Sequence, residues 1–217
     1  MGFDSRPPRV FLLSPANCNG RRGSQVLSPG ASSDLALRLR STEGIAIGEL
    51  FSFVSALYFR GKLSYARRFA VPPETGNPIV GNGVHVITPN AGLRSPETRV
   101  TAAAVRGFLG EDIDADNRTY RRPLEQSARA LRREIGDCDV VLLGSIASPK
   151  YVDVLLEIFG AHLFFPVDFV GRGDMSRGGL LLRHAADDVE LPYVPVAGAI
   201  RHGRRPPKLT ARCLDPR

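Results

Sequence analysis

The stretch Val140-Val141-Leu142-Leu143-Gly144-Ser145-Ile146-Ala147-Ser148-Pro149-Lys150-Tyr151 decides the fold class. Its opening apolar run, halted by Gly-Ser, reads as a strand buried on both faces. Ser148-Pro149 then supplies an N-cap and a first-turn proline, so a helix is expected from there through Phe159. A buried strand feeding a capped helix is the repeating unit of an α/β sheet. Working outward, Val10–Leu13, Val84–Ile87, Leu163–Val167 and Tyr193–Val196 carry the same short-strand signature. Helices are expected after Ser33-Asp34 as far as Leu39, between Glu49 and Phe69 with a break at Gly61, from Thr101 to Leu109, and from a first-turn Pro123 through Ile135. Residues 15–33, 71–82 and the glycine-rich 169–179 read as loops or turns, and Leu180-Leu181-Leu182 fits helix or strand. The expected fold is therefore α/β, a single domain over residues 1–197 with a mixed or mostly parallel sheet flanked by helices, followed by a basic tail over 198–217.

Composition sets the outer bounds. The chain has 217 residues, 43% hydrophobic and 24% charged, which is enough to bury a core without disulfide or metal staples. No apolar run approaches the length of a membrane span, and the N-terminal decapeptide lacks the apolar core of a signal peptide. A cytoplasmic protein with no membrane partner is the expectation. Cys18, Cys138 and Cys213 are dispersed, and His85, His162, His184 and His202 show no ligand spacing, so neither a disulfide framework nor a metal site is expected. No cofactor is expected either, and the 140–151 turn lacks the Walker A spacing.

The net charge of +7 is unevenly placed. Arg201, Arg204, Arg205, Lys208, Arg212 and Arg217 face Asp215 alone in a proline-broken tail, which leaves only about +2 on residues 1–197. Such a tail reads as extended, and it either grips nucleic acid without sequence preference or serves solubility.

Three segments carry candidate chemistry. In the first, Gly144, Ser145, Ser148 and Lys150 lie at a strand end and a helix start, where unsatisfied N–H groups hold an anion or a polar base edge. An ordinary capped turn has the same residues. In the second, residues 169–179, Arg172 and Arg177 are able to fork onto phosphates, and Asp174 either orients one of them or acts as a catalytic acid or base; a salt-bridged structural turn is the alternative. The third, residues 14–23, offers Ser14, Asn17, Arg21 and Arg22 as binding groups. Cys18 beside these arginines is either a thiol of lowered pKa or, in the simpler reading, inert. Ser-His-Asp and G-x-S-x-G signatures are absent.

Several short motifs, in order, resemble the YaaA family of the bacterial peroxide-stress response. They are Leu12-Leu13-Ser14-Pro15-Ala16, Phe59-Arg60-Gly61 with Tyr65, Ala91-Gly92-Leu93-Arg94 with Pro96, Ala147-Ser148-Pro149-Lys150-Tyr151, and Arg172-Gly173-Asp174-Met175-Ser176-Arg177. The resemblance implies an α/β core around a positively charged cleft, a protective role under oxidative stress and affinity for DNA. The expectation drawn from residues and resemblance together is binding of nucleic acid, duplex DNA first, or of a small nucleotide-like ligand in a basic cleft. The alternative is a glycosylase- or transferase-like enzyme acting on a nucleobase or nucleoside in the same cleft.

Overall fold

The computed structural model describes residues 7–74, 76–207 and 209–210. Alternating apolar strands and amphipathic helices build a layered α/β domain, as expected. In chain order the elements that matter are β1 (Arg9–Leu13), α1 (Arg21–Leu27), α2 (Asp34–Arg40), β2 (Ile45–Ala46), α3 (Ile47–Val54), α4 (Leu57–Phe69), β3 (Val84–Thr88) and β4 (Gly92–Arg94). They continue with β5 (Arg99–Val100), α5 (Ala102–Leu109), α6 (Arg118–Ile135), β6 (Asp139–Leu143), α7 (Pro149–Phe159), β7 (Leu163–Pro166), α8 (Asp174–Asp187) and β8 (Tyr193–Pro195).

The main sheet runs β4-β3-β1-β6-β7-β8, and β2 pairs with β5 in a separate two-stranded ribbon. Strands β3, β1, β6 and β7 are parallel; β4 and β8 are antiparallel edges. Because β1 and β6 are buried on both sides, successive residues feed two cores. Phe11, Leu13, Val141 and Leu143 face α3, α4, α5 and α8, while Val10, Leu12, Val140 and Leu142 face α6 and α7. That double burial is why these strands read as unbroken apolar runs. From β1 the chain crosses to β3 on one side, then returns to β6 on the other. The β1–β6 junction is thus the topological switch point, where a crevice opens beyond the carboxyl ends of the strands.

Several boundaries differ from the sequence expectation. The helical pattern of 49–69 breaks at Ser55-Ala56, where Ala56 has φ 46°, and not at Gly61, which sits inside α4. Gly61 is needed for contact: an added Cβ would lie 2.6 Å from the Gly178 carbonyl oxygen. Gly178 answers it, since a Cβ there would lie 2.7 Å from Leu57 O and Tyr58 Cα. The two glycines let α4 and α8 touch backbone to backbone. The glycine-rich segment expected as a turn is therefore partly helix from Asp174 onward. Helix α6 begins at Arg118, capped by the Asn117 side chain on Thr119 N, so Pro123 lies inside it. Residues 21–27, expected as loop, form α1.

The described part of the tail has no helix or strand, in keeping with its prolines, yet it lies against the body. A Cβ on Gly171 would lie 2.2 Å from Arg204 O, Leu209 packs on the core, and Arg183 donates to Thr210 O. Lys208, Arg212, Cys213, Asp215 and Arg217 lie outside the described residues. Among the described residues, no helix is long and apolar enough to cross a membrane.

Candidate functional site

A crevice of about 400 Å³ lies at the switch point, and four separate stretches of chain wall it. Ser14 to Asn19 follow β1, Ser145, Lys150 and Tyr151 follow β6, Asp174 starts α8, and Ser55 with Tyr58 starts α4. Glu111, Asp112 and Ile113, after α5, form the rim. Five of the residues singled out from sequence therefore meet here: Ser14, Asn17, Ser145, Lys150 and Asp174. Gly144 sits just beneath, where an added Cβ would lie 3.0 Å from Ser14 Cβ, so its lack of a side chain leaves room for that serine. Ser148 caps α7 by accepting from Lys150 N at 3.5 Å, a structural task at the edge of the site.

The arginines are placed differently. Arg177 is nearly buried behind the crevice, with Nε and Nη2 donating to Phe169 O at 3.2 and 3.0 Å and its guanidinium over the Phe169 ring. Its Nη1 is 3.6 Å from Asp174 Oδ1. Arg172 donates to Asp168 O at 2.9 Å and to Ser176 Oγ at 3.3 Å. Both are tied to backbone or neighbouring side chains and neither lines the crevice. Arg22 reaches the Phe53 carbonyl at 3.1 Å, and Arg21 is exposed on α1; neither enters the site. Glu111, Asp112 and Asp174 face the crevice against Lys150 alone, so its lining is acidic. This corrects the expectation of a basic cleft: the nearby guanidiniums of Arg172 and Arg177 found carbonyl acceptors within the fold, and the acidic loop after α5 lines the crevice.

Two residues that the motifs did not single out matter most. Lys62 is 1% exposed, and its Nζ donates to Ser14 O at 2.5 Å and lies 2.9 Å from Ser14 Oγ. The ammonium sits over the rings of Tyr58 and Phe59 at 4.4 and 4.9 Å. Burial pushes its pKa down to about 7; Asp174 draws it back up and Arg177 pushes it further down, both by less. Tyr58, one helical turn earlier on the same face, is 7% exposed, and its hydroxyl has no hydrogen-bond partner of proper geometry. Burial drives the Tyr58 pKa far up, outweighing the pull of the Arg177 guanidinium, which is near enough to lower it slightly. The hydroxyl therefore keeps its proton. The sequence signal for Lys62 was a lysine set in an apolar helical stripe between Phe59 and Ala66.

Cys18 also lines the crevice, but burial raises its thiol pKa to about 11, which matches the inert reading. Among the described residues no cluster of His, Cys, Asp and Glu is arranged to hold a metal ion. A second hollow, of about 740 Å³, lies between β3, β4, the 78–82 loop and α6. It is larger and takes in His85 and the motif residues Ala91, Leu93 and Arg94, but it lies away from the switch point and contains none of the candidate binding or catalytic residues.

The fold and the crevice define an α/β protein with a polar, acid-lined crevice at the switch point of its sheet. Comparison with protein-family models, curated proteins and solved structures finds no match to this chain.

Proposed function

We propose that this protein binds a nucleoside- or nucleobase-like ligand in the β1–β6 crevice. The observation that carries the reading is the buried Tyr58 hydroxyl, which makes no well-formed hydrogen bond, in a crevice also lined by Asn17, Ser145, Glu111, Asp112 and Asp174. An orphaned buried hydroxyl is costly unless a ligand satisfies it. Tyr58, Phe108 and Tyr151 offer aromatic surface to a flat heterocycle, while Asp112 and Asp174 accept from ribose hydroxyls or exocyclic amines. Glu111 and Asp112 with Asp174, of which only Asp174 lies beside a guanidinium, outweigh Lys150 in the lining and disfavour a polyphosphate, so the uncharged end of the nucleotide class fits best. Calorimetric titration with adenosine, guanosine, cytidine and AMP tests this. The expected result is saturable nucleoside binding, weakened about tenfold by Tyr58→Phe or Asp174→Asn, with AMP no tighter than adenosine. Absence of saturable binding by any nucleoside at millimolar concentration would overturn it.

A second reading, binding of duplex DNA with the peroxide-protective role that the YaaA resemblance implies, is supported by the tail. Arg204 and Arg205 are exposed, and among the described residues neither meets a carboxylate. Here affinity would fall steeply with salt and would be lost on truncation to residues 1–197. Salt-independent or negligible binding would dismiss it.

A further inference from the structure

We infer that Ser14, Lys62 and Tyr58 form an acyl-transfer centre in the crevice, with Ser14 Oγ as nucleophile toward a carboxylic ester. The inference rests on the reading above only in that the crevice admits a ligand. It adds a reaction and names the group that performs it.

Four features converge. Ser14 stands at the carboxyl end of the central strand β1 and lines the crevice. Its Oγ is 2.9 Å from Lys62 Nζ, within the range for passing a proton. Lys62 is sealed from water and, among the described residues, forms no ion pair, so its amine is neutral in a sizeable fraction of molecules near neutrality. Tyr58 stands on the same face of α4, four residues before Lys62, with its protonated hydroxyl unpartnered at the crevice wall. The groups that bear on the Lys62 amine are the Tyr58 and Phe59 rings on α4, Ser14 at the end of β1, and Asp174 and Arg177 from α8. In the resting arrangement the Ser14 hydroxyl reaches Leu143 O at 3.3 Å, a long bond that is easily exchanged for one to the lysine.

The chemistry balances with water as the only co-substrate. Ser14 Oγ attacks the ester carbonyl carbon while its proton passes to the neutral Lys62 Nζ. The Tyr58 hydroxyl donates to the developing oxyanion. The bond to the leaving alkoxide breaks, and that oxygen takes the proton from Lys62, leaving an acyl-Ser14. Water then attacks the acyl carbon, gives its proton to Lys62, and releases the carboxylic acid as Ser14 Oγ is reprotonated. Net, ester and water yield acid and alcohol. An acyl group suits this site better than a phosphoryl group, because phosphoryl transfer needs concentrated positive charge and Arg172 and Arg177 are engaged elsewhere.

The test is labelling of the full-length protein with a biotinylated fluorophosphonate, mapped by peptide mass spectrometry, alongside p-nitrophenyl acetate hydrolysis. Ser14 should be labelled in preference to the other serines, and the rate should rise through a midpoint near pH 7. Lys62→Arg keeps a donor to Ser14 but stays protonated, and should slow labelling at least about a hundredfold. Tyr58→Phe should slow it by about tenfold or more. Absence of label at Ser14 in the folded wild-type protein overturns the inference even if every variant misfolds, as does an unchanged rate in a folded Lys62→Arg. Nucleoside binding without Ser14 labelling would refute this centre alone; labelling without nucleoside binding would refute the ligand class alone.

Discussion

Replacing Lys62 with methionine, a side chain of similar length without charge, isolates the energetic cost of burying that amine. In the unfolded chain Lys62 titrates at its usual 10.5, whereas burial lowers the folded value to about 7. Between those two pH values the unfolded chain binds the extra proton, so stability rises with pH across that window. Below about 7 the penalty is present in full; above 10.5 it vanishes. At about 1.36 kcal/mol per pH unit, the gap corresponds to about 5 kcal/mol, of which about 3 kcal/mol is recovered between pH 7 and 9.5. The assay is urea unfolding of wild type and Lys62→Met at half-unit pH steps from 6.5 to 9.5. Other titrating groups are common to both proteins and cancel in the difference. Loss of the donor to Ser14 shifts the variant by a constant and leaves the slope untouched. Wild-type stability should therefore gain about 3 kcal/mol on the variant across this range. A difference that stays flat would mean that Lys62 is charged in the folded protein at all these pH values, which would refute its neutral state and its role as a base.

Three further outcomes follow from named contacts. His85 is buried on β3, and burial lowers its pKa to about 4 against a backbone pull from Val80, so stability should be lost as pH falls from 6.5 toward 4. Relative to His85→Leu, wild type should lose about 2 kcal/mol between pH 6.5 and 4.5, measured by denaturant titration; parallel profiles would contradict a neutral buried ring. Gly178→Ala drives a Cβ into the backbone of Leu57 and Tyr58, which cannot step aside, and should cost about 1–3 kcal/mol in thermal unfolding. Gly144→Ala presses on Ser14 at 3.0–3.2 Å, where a shift of a few tenths of an ångström suffices. Fluorophosphonate labelling should fall by about tenfold with little change in stability, and an unaffected rate would count against the placement of Ser14 as nucleophile.

Much of the architecture was legible because it rests on local signals. The apolar runs at Val10–Leu13, Val84–Ile87 and Val140–Leu143 are strands, since a strand covered on both faces leaves no polar alternation to obscure it. Ser33 and Ser148 cap helices as their positions before Asp34 and Pro149 indicated. Local signals misled where the governing contact was distant. Gly61 and Gly178 resemble helix breakers, but each is a point of close approach for the other's helix, a requirement visible only once α4 and α8 are packed. The strands β4 and β5 are too short to carry a periodicity of their own and exist through their partners β3 and β2.

The site divides along the same line. By itself the sequence determined an α/β domain and pointed to the loops after two of its central strands, because strand ends and helix caps are encoded within a few residues. It also determined that most of the net positive charge lies in the tail. Only the tertiary structure decided where individual charges go. Arg172 and Arg177 turn to carbonyls of their own fold, three carboxylates from α8 and the loop after α5 face the crevice, and a lysine from the apolar stripe of α4 is pressed against Ser14. Side-chain partners of this kind are separated by tens of residues, and the direction of a charge depends on the nearest acceptor in space. Sequence spacing carries no record of that distance, and so a cleft expected to be basic is an acid-lined crevice with a buried, weakened base behind its Ser14 wall.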